Sequence, residues 1–296
     1  MPSNKQLSVG NIIIHLIFLA ASLAMLIPLV LVIAISVSKE SSIVEHGYSL
    51  FPDRVSFEAY RYIFQAPKLM LRAYGVTIAT TLMGTAGGLL LTSMVAYGIS
   101  RRDFRYNRVV TFYVFFTMLF NGGLVPSYIL NTQYLHLRNT IWALVLPALL
   151  SPFFIMLMKG FLSKIPFEMV ESAKMDGASE WRIFLKMILP LSTPALATLG
   201  LFISFNYWNA WFPALLYIDK ESLVPVQLLL VRMMQQVEYL KQNMQIISDL
   251  GADTNAFPTL SARMAMTVVA AGPMMVIFPF FQRFFIQGLT VGSLKG

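Results

Sequence analysis

Apolar residues run along this chain in long uninterrupted stretches. Residues 73–100, 109–135, 139–158, 187–218 and 264–282 carry no charged side chain, and 11–37 is interrupted only by His15. Each run reaches the ~20 residues that an α-helix needs to cross a bilayer. Six spans are therefore predicted, at approximately 11–37, 74–99, 109–131, 140–160, 190–217 and 264–284. The fold class is all-α, a polytopic membrane protein with six transmembrane helices in one domain, 1–296. The first run is too long for the 7–15-residue apolar core of a signal peptide. No small-x-small cleavage site follows it, so it reads as an uncleaved helix.

Two polar segments between spans are long, 38–72 and 219–263. The first is rich in aromatic residues (Tyr48, Phe51, Phe57, Tyr60, Tyr62, Phe64), which argues against disorder. The second contains an amphipathic pattern from Leu228 to Ile247, then a Gly/Asp/Asn/Pro stretch from Asp249 to Pro258. Loops above ~12–15 residues commonly carry function.

Composition agrees with the pattern. Of 296 residues, 57% are hydrophobic and 12% charged, about half the charge of a soluble domain. The absence of cysteine excludes disulfides, Cys-ligated zinc and thiol catalysis. His15, His46 and His136 lack metal-ligand spacing, and no nucleophile–base constellation is visible, so no enzyme activity, catalytic residue or metal is expected. The net charge of +8 is explained by orientation rather than by nucleic acid. The short loop 101–108 holds Arg101, Arg102, Arg105 and Arg108, whereas 131–139 holds only Arg138. The positive-inside rule places the first loop in the cytoplasm. Six spans then put both termini and residues 163–189 there too, and 38–72 and 219–263 outside.

Residues 163–189 form a polar island. Glu168 to Met175 are good helix formers, Gly177 can adopt a positive φ and end that helix, and Ser179 can cap a second one. Pro190 and Pro194 mark entry to the next span. Two short helices at an angle are predicted. They serve either as a docking element or as an interfacial seal of the bundle.

The residues Glu171-Ser172-Ala173-Lys174-Met175-Asp176-Gly177-Ala178, followed by Ile188-Leu189-Pro190, resemble the EAA loop of ABC-importer permeases. Ser172 stands where that pattern has its first Ala, another small residue. The C-terminal run Gln282-Arg283 to Gly288-Leu289-Thr290 and Gly292 to Lys295-Gly296 is similar to the tail of MalG-like permease subunits of carbohydrate importers. The resemblance implies a binding-protein-dependent permease in the bacterial cytoplasmic (inner) membrane. It implies a second homologous permease subunit, two copies of a cytoplasmic ABC ATPase, a periplasmic or extracellular sugar-binding protein and an oligosaccharide substrate. Glu171, Ser172, Ala173, Asp176, Gly177 and Ala178 would form the ATPase-coupling helix. Gly288, Gly292, Lys295 and Gly296, in the tail 286–296, would contact the ATPase through an extended backbone. There is no phosphate-binding loop in the sequence, so this chain binds no cofactor and ATP with Mg belongs to the partner.

Asn206, Tyr207, Trp208, Asn209 and Trp211 near the end of span five combine flat apolar faces with amides, as sugar recognition requires. An aromatic belt at the membrane interface is the alternative. Pro213 is expected to bend that helix. Asn121-Gly122-Gly123 interrupts span three, giving either a packing kink or backbone exposed to a pore, and Asn121 joins the substrate-pathway candidates. Gly84 and Gly88 have the spacing that lets helices approach closely. A secondary carrier or channel without an ATPase is the competing function, but it lacks the intramembrane carboxylate such carriers use. The long 219–263 segment points to a large or acidic oligosaccharide.

Overall fold

A computed structural model describes residues 9–243 and 259–290. Among them the regular structure is helical, and the one β feature is an isolated bridge between Ser38 and Val55. Three helices are long and apolar enough to cross a membrane: Gly10–Ser36, Pro67–Ser100 and Leu260–Phe280. Three more crossings arise if bent helix pairs each count as one span, which gives up to six.

Contacts divide the chain into two compact units, 1–67 with 232–272, and 68–231 with 273–296. The first unit begins with α1 (Val9–Ser36), which is apolar on every side and carries Pro28. The segment after it is ordered by hydrogen bonds. Ser56 N donates to Val37 O at 2.8 Å, and Lys39 N donates to Arg54 O at 3.0 Å. Two short helices, α2 (Glu40–His46) and α3 (Glu58–Ile63), lie within the stretch the sequence marks as a loop. Ser36 Oγ and Tyr60 Oη are 2.9 Å apart. Glu40 caps the start of the last helix: its carboxylate accepts from Thr259 Oγ1, Leu260 N, Ser261 N and Ser261 Oγ at 2.7, 2.8, 3.0 and 2.7 Å. Those amides have no partner inside their helix, and the helix start favours negative charge. Burial pushes the Glu40 carboxyl upward, but these hydrogen bonds outweigh it and leave it below the ordinary 4.5.

The second unit is built around α4 (Pro67–Ser100), about 50 Å of continuous helix. Because lipid is as apolar as leucine, close packing rather than burial from water must hold such helices together. The glycines supply it. A Cβ on Gly84 would collide with the ring of Tyr207, and one on Gly88 would meet Leu149 O at 3.1 Å. The remaining helices are α5 (Asn107–Leu119), α6 (Leu124–Ile129), α7 (Trp142–Val145), α8 (Pro152–Leu162), α9 (Phe167–Met175), α10 (Glu180–Ile183), α11 (Leu189–Leu191), α12 (Thr193–Trp208) and α13 (Trp211–Tyr217). Ala96, Ile99, Met158, Val170, Ile183, Phe184, Ile188 and Ile203 share one buried core. Two helices run through both units: α14 (Val226–Gln242) and α15 (Leu260–Thr290).

Several expectations change. Of the alternatives at Asn121-Gly122-Gly123, the third crossing takes the broken-helix form rather than a single kinked helix. It breaks after Leu119 and resumes at Leu124 with a bend of 109°, because Gly123 takes a φ of 90° that ends the helical path. The fourth bends by 51° and the fifth by 80°. Within span five, a further interruption falls at Asn209 and Ala210, not at Pro213. Pro213 sits in the first turn of α13, where a missing N–H costs nothing. The amphipathic helix starts at Val226, and its predicted end at Ile247 lies outside the described residues, as does 249–258. Gly288 is helical, not extended, since α15 continues to Thr290. A helix satisfies its backbone locally, and one glycine costs it only about 1 kcal/mol. Gly292, Lys295 and Gly296 lie outside the described residues.

Candidate functional site

The polar island folds as two short arms. The helix α9 ends at Met175, and Gly177 takes a φ of 75°. Gly177 N donates to Lys174 O at 2.9 Å, and Ala178 N donates to Ala173 O at 3.0 Å. This pair of bonds is the Schellman termination, which calls for glycine at the left-handed position. It also brings together the residues at either end of the longer bond, here Ala173 and Ala178. Small side chains suit that contact, and both alanines are partly buried against the core. Ser179 then accepts from Arg182 N at 3.4 Å to start α10.

The turn between the arms faces outward. Glu171, Ser172, Asp176 and Gly177 are exposed. Met175 is 88% exposed and Trp181 60% exposed, large apolar side chains on a polar segment. Among the described residues, Glu171 and Asp176 make no ion pair or side-chain hydrogen bond. The opposite face, with Val170, Ile183, Phe184 and Ile188, is buried. The structure thus gathers all six predicted coupling residues into one turn, two of them as its inner support and four on its outer surface.

Behind the turn lies a charge network that sequence reasoning missed. Arg101 follows the last residue of α4, and its side chain is 9% exposed. Its guanidinium donates to both carboxylate oxygens of Asp103, to Glu180 Oε2 at 2.8 Å and to Tyr97 Oη at 2.6 Å. Lys174 Nζ bridges Asp103 Oδ2 at 2.9 Å and Glu180 Oε1 at 3.0 Å. Hydrogen bonds from Arg101 hold the Asp103 carboxyl well below the usual range, and Asp103 in turn raises Arg101 and Lys174. Partial burial pushes Glu180 up, but Lys174 and Arg101 outweigh it and bring it down. The only sequence hint was one acid, Asp103, inside an otherwise basic loop. Its nearest partner, Arg101, stands two residues away, but Lys174 is 71 residues from Asp103 and Glu180 is 79 from Arg101.

The pathway candidates scatter. Tyr207 is buried, and its hydroxyl donates to Val145 O at 2.8 Å, so it is a packing residue here. Asn209 ends α12, its amide donating to Phe205 O at 2.9 Å and accepting from Gln227 Nε2 at 3.3 Å. Asn121 accepts from Gly123 N at 2.8 Å and stabilises the break in the third crossing. Asn206 and Trp211 are exposed. Trp208 lines a cavity of about 440 Å³ with Thr81, Thr85, Gly200, Ser204 and Met274. The unit therefore brings one candidate, Trp208, to a mainly apolar cavity whose lining also includes the hydroxyl residues Thr81, Thr85, Thr193 and Ser204.

Within one unit, a membrane-length helix, bent helix pairs and an exposed two-helix turn are features that suit a membrane transport subunit. The family model described as "Binding-protein-dependent transport system inner membrane component" matches residues 7–291. The chain belongs to this family: it is the permease component of a binding-protein-dependent ABC importer of the bacterial inner membrane. It is 36% identical over 287 residues to the polygalacturonan/rhamnogalacturonan transport system permease protein YtcP of Bacillus subtilis (strain 168), covering 97% of this chain and 98% of that one. It is 27% identical to the arabinooligosaccharides transport system permease protein AraQ of the same organism, covering 99% of each chain. Among solved structures, it resembles a chain of a bacterial ABC transporter involved in the import of the acidic polysaccharide alginate. That match has a TM-score of 0.78 and 26% identity, and covers 95% of this chain and 98% of that one.

Proposed function

We propose that this permease imports oligosaccharide fragments of acidic polysaccharides, driven by a separate ATPase. The exposed turn from Glu171 to Ala178 carries the reading, because its two carboxylates and the apolar Met175, with Trp181 just beyond it, present their exposed surface to a partner. Two copies of a cytoplasmic ABC ATPase, holding ATP and Mg, sit below a pair of bundles made by this chain and a second homologous permease. This chain itself binds no cofactor. A binding protein outside delivers the sugar. The basic loop at 101–108 supports an orientation with both termini in the cytoplasm. The tail residues Gly288, Gly292, Lys295 and Gly296 add ATPase contacts. Alternating access follows from differential binding: ATP-driven closure grips the turn more tightly in one state than in the other. Trp208, Asn206 and Trp211 are the candidates for sugar contact, Trp208 at the cavity, while Asn209 and Asn121 serve helix ends and Tyr207 serves packing.

Acidic substrates are supported by two relatives, one named for polygalacturonan/rhamnogalacturonan and one for alginate. The test is purification in mild detergent with the genetically neighbouring ATPase and sister permease, then uptake of labelled oligogalacturonate and of a neutral oligosaccharide of equal length into proteoliposomes. Acid-selective, ATP-dependent uptake is expected. Uptake by this chain alone, without ATP, would sink the importer reading. Preference for the neutral sugar would sink the substrate class.

A further inference from the structure

The network behind the turn draws side chains from four places. Tyr97 belongs to α4, Arg101 and Asp103 to the residues that follow it, Lys174 to α9 and Glu180 to α10. Both arms of the turn are thereby tied to the same point at the end of α4. Stability alone explains this poorly. An arginine that is 9% exposed loses most of its hydration, and such pairs are often no more stabilising than apolar residues of the same size. What they supply is geometry. The apolar base of the turn, Ile183, Phe184 and Ile188, attracts without direction. The crossing contacts, Arg101 and Tyr97 to Glu180 and Lys174 to Asp103, are directional, and the two-pronged Arg101–Asp103 contact holds in place the carboxylate that Lys174 grips.

The helix α4 carries any displacement onward. It is continuous from Pro67 to Ser100. Gly84 and Gly88 seat it against Tyr207, Ile203 and the Leu149 carbonyl with no slack. Further along the same helix, Thr81 and Thr85 line the 440 Å³ cavity beside Trp208. A rigid connection therefore runs from the exposed turn to that cavity, and its first joint is ionic.

We propose that Lys174 and Arg101 are positioning residues of transport: with Asp103, Glu180 and Tyr97 they clamp both arms of the turn to α4, so that turn and helix move as one body. This rests on the ATPase-driven reading above. Without the clamp the turn still presents its outer face, but movement imposed on it is absorbed by sliding over its apolar base. Lys174 and Glu180 are both surface-accessible, so their variants are expected to fold.

The experiment uses the assembled permease–ATPase complex in proteoliposomes, comparing Lys174→Met, Lys174→Arg, Asp103→Asn, Glu180→Gln and the Lys174→Met/Asp103→Asn double variant. The quantities are ATPase retained on co-purification and sugar transported per ATP hydrolysed. The expected result is unchanged co-purification with about a tenfold lower transport-to-hydrolysis ratio for Lys174→Met. Lys174→Arg should recover most of it, and the double variant should be no worse than the worse single one, because the groups act as a unit. A wild-type ratio in both Lys174→Met and Glu180→Gln overturns the clamp. Loss of ATPase from Lys174→Met also overturns it, making Lys174 a docking contact. Failure of the importer reading looks different: the wild-type chain itself would bring down no ATPase.

Discussion

The turn at 171–178 and the aromatic segment at 205–211 are both places where polar residues interrupt an apolar pattern, yet the structure spends them differently. In the turn, the outer carboxylates stay without partners while the charges behind them pair with one another. In the aromatic segment, Tyr207 and Asn209 spend their hydrogen bonds on protein partners, while Asn206 stays exposed. Tyr207 reaches Val145 O, and Asn209 reaches Phe205 O. The difference follows from environment. A polar group in a bundle without water must find a protein partner, whereas one on an aqueous surface can be held in reserve. Polar residues inside a span are thus first suspects for helix termination and packing, and only the remainder are suspects for substrate.

The largest test of that contrast is Gly177→Val. A β-branched residue at a φ of 75° is strained by about 1–3 kcal/mol, and relief of that strain tilts α10 away from α9. Transport should fall at least a hundredfold with normal membrane insertion, while Gly177→Asn, which tolerates this backbone, should keep most of it. Uptake assays with a membrane-fraction blot read both. Equal behaviour of the two variants would remove the need for this turn geometry.

Gly84→Val comes next and addresses the other region. Its side chain has no room beside the Tyr207 ring, and overpacking costs about 1–3 kcal/mol. Thermal unfolding in detergent should drop by several degrees. An unchanged midpoint would show that Tyr207 is free to move, returning it to the pathway candidates.

Trp208→Ala should lower uptake several-fold while leaving assembly intact, because it removes one wall of the cavity. Asn209→Ala should instead act mainly on stability, by about 1 kcal/mol. Reversed effects would exchange the roles assigned to these neighbours.

The smallest effect concerns pH in the island. Glu180 is held below its ordinary 4.5, so its contribution is complete above that value and disappears as pH falls through the lowered one. The stability difference between wild type and Glu180→Gln should be constant from pH 8 to 5 and shrink only in stronger acid. At this exposure it amounts to about 1 kcal/mol or less. A difference that fades near neutral pH would mean that the network is not formed as described.

Hydrophobic runs, the basic loop and the glycine punctuation are properties of neighbouring residues, so the sequence alone determined the helical membrane class, the two arms and the hinge at Gly177. The break near Asn121 was legible as an interruption, but its 109° bend was not. The bend depends on how Gly123 and the following helix settle against their surroundings. The pairing of Arg101 and Asp103 with Lys174 and Glu180, the seating of Gly84 on Tyr207 and the opening of a cavity at Trp208 were decided only in the tertiary structure. Each joins residues from distant parts of the chain, and local pattern says nothing about which distant surface a side chain will meet.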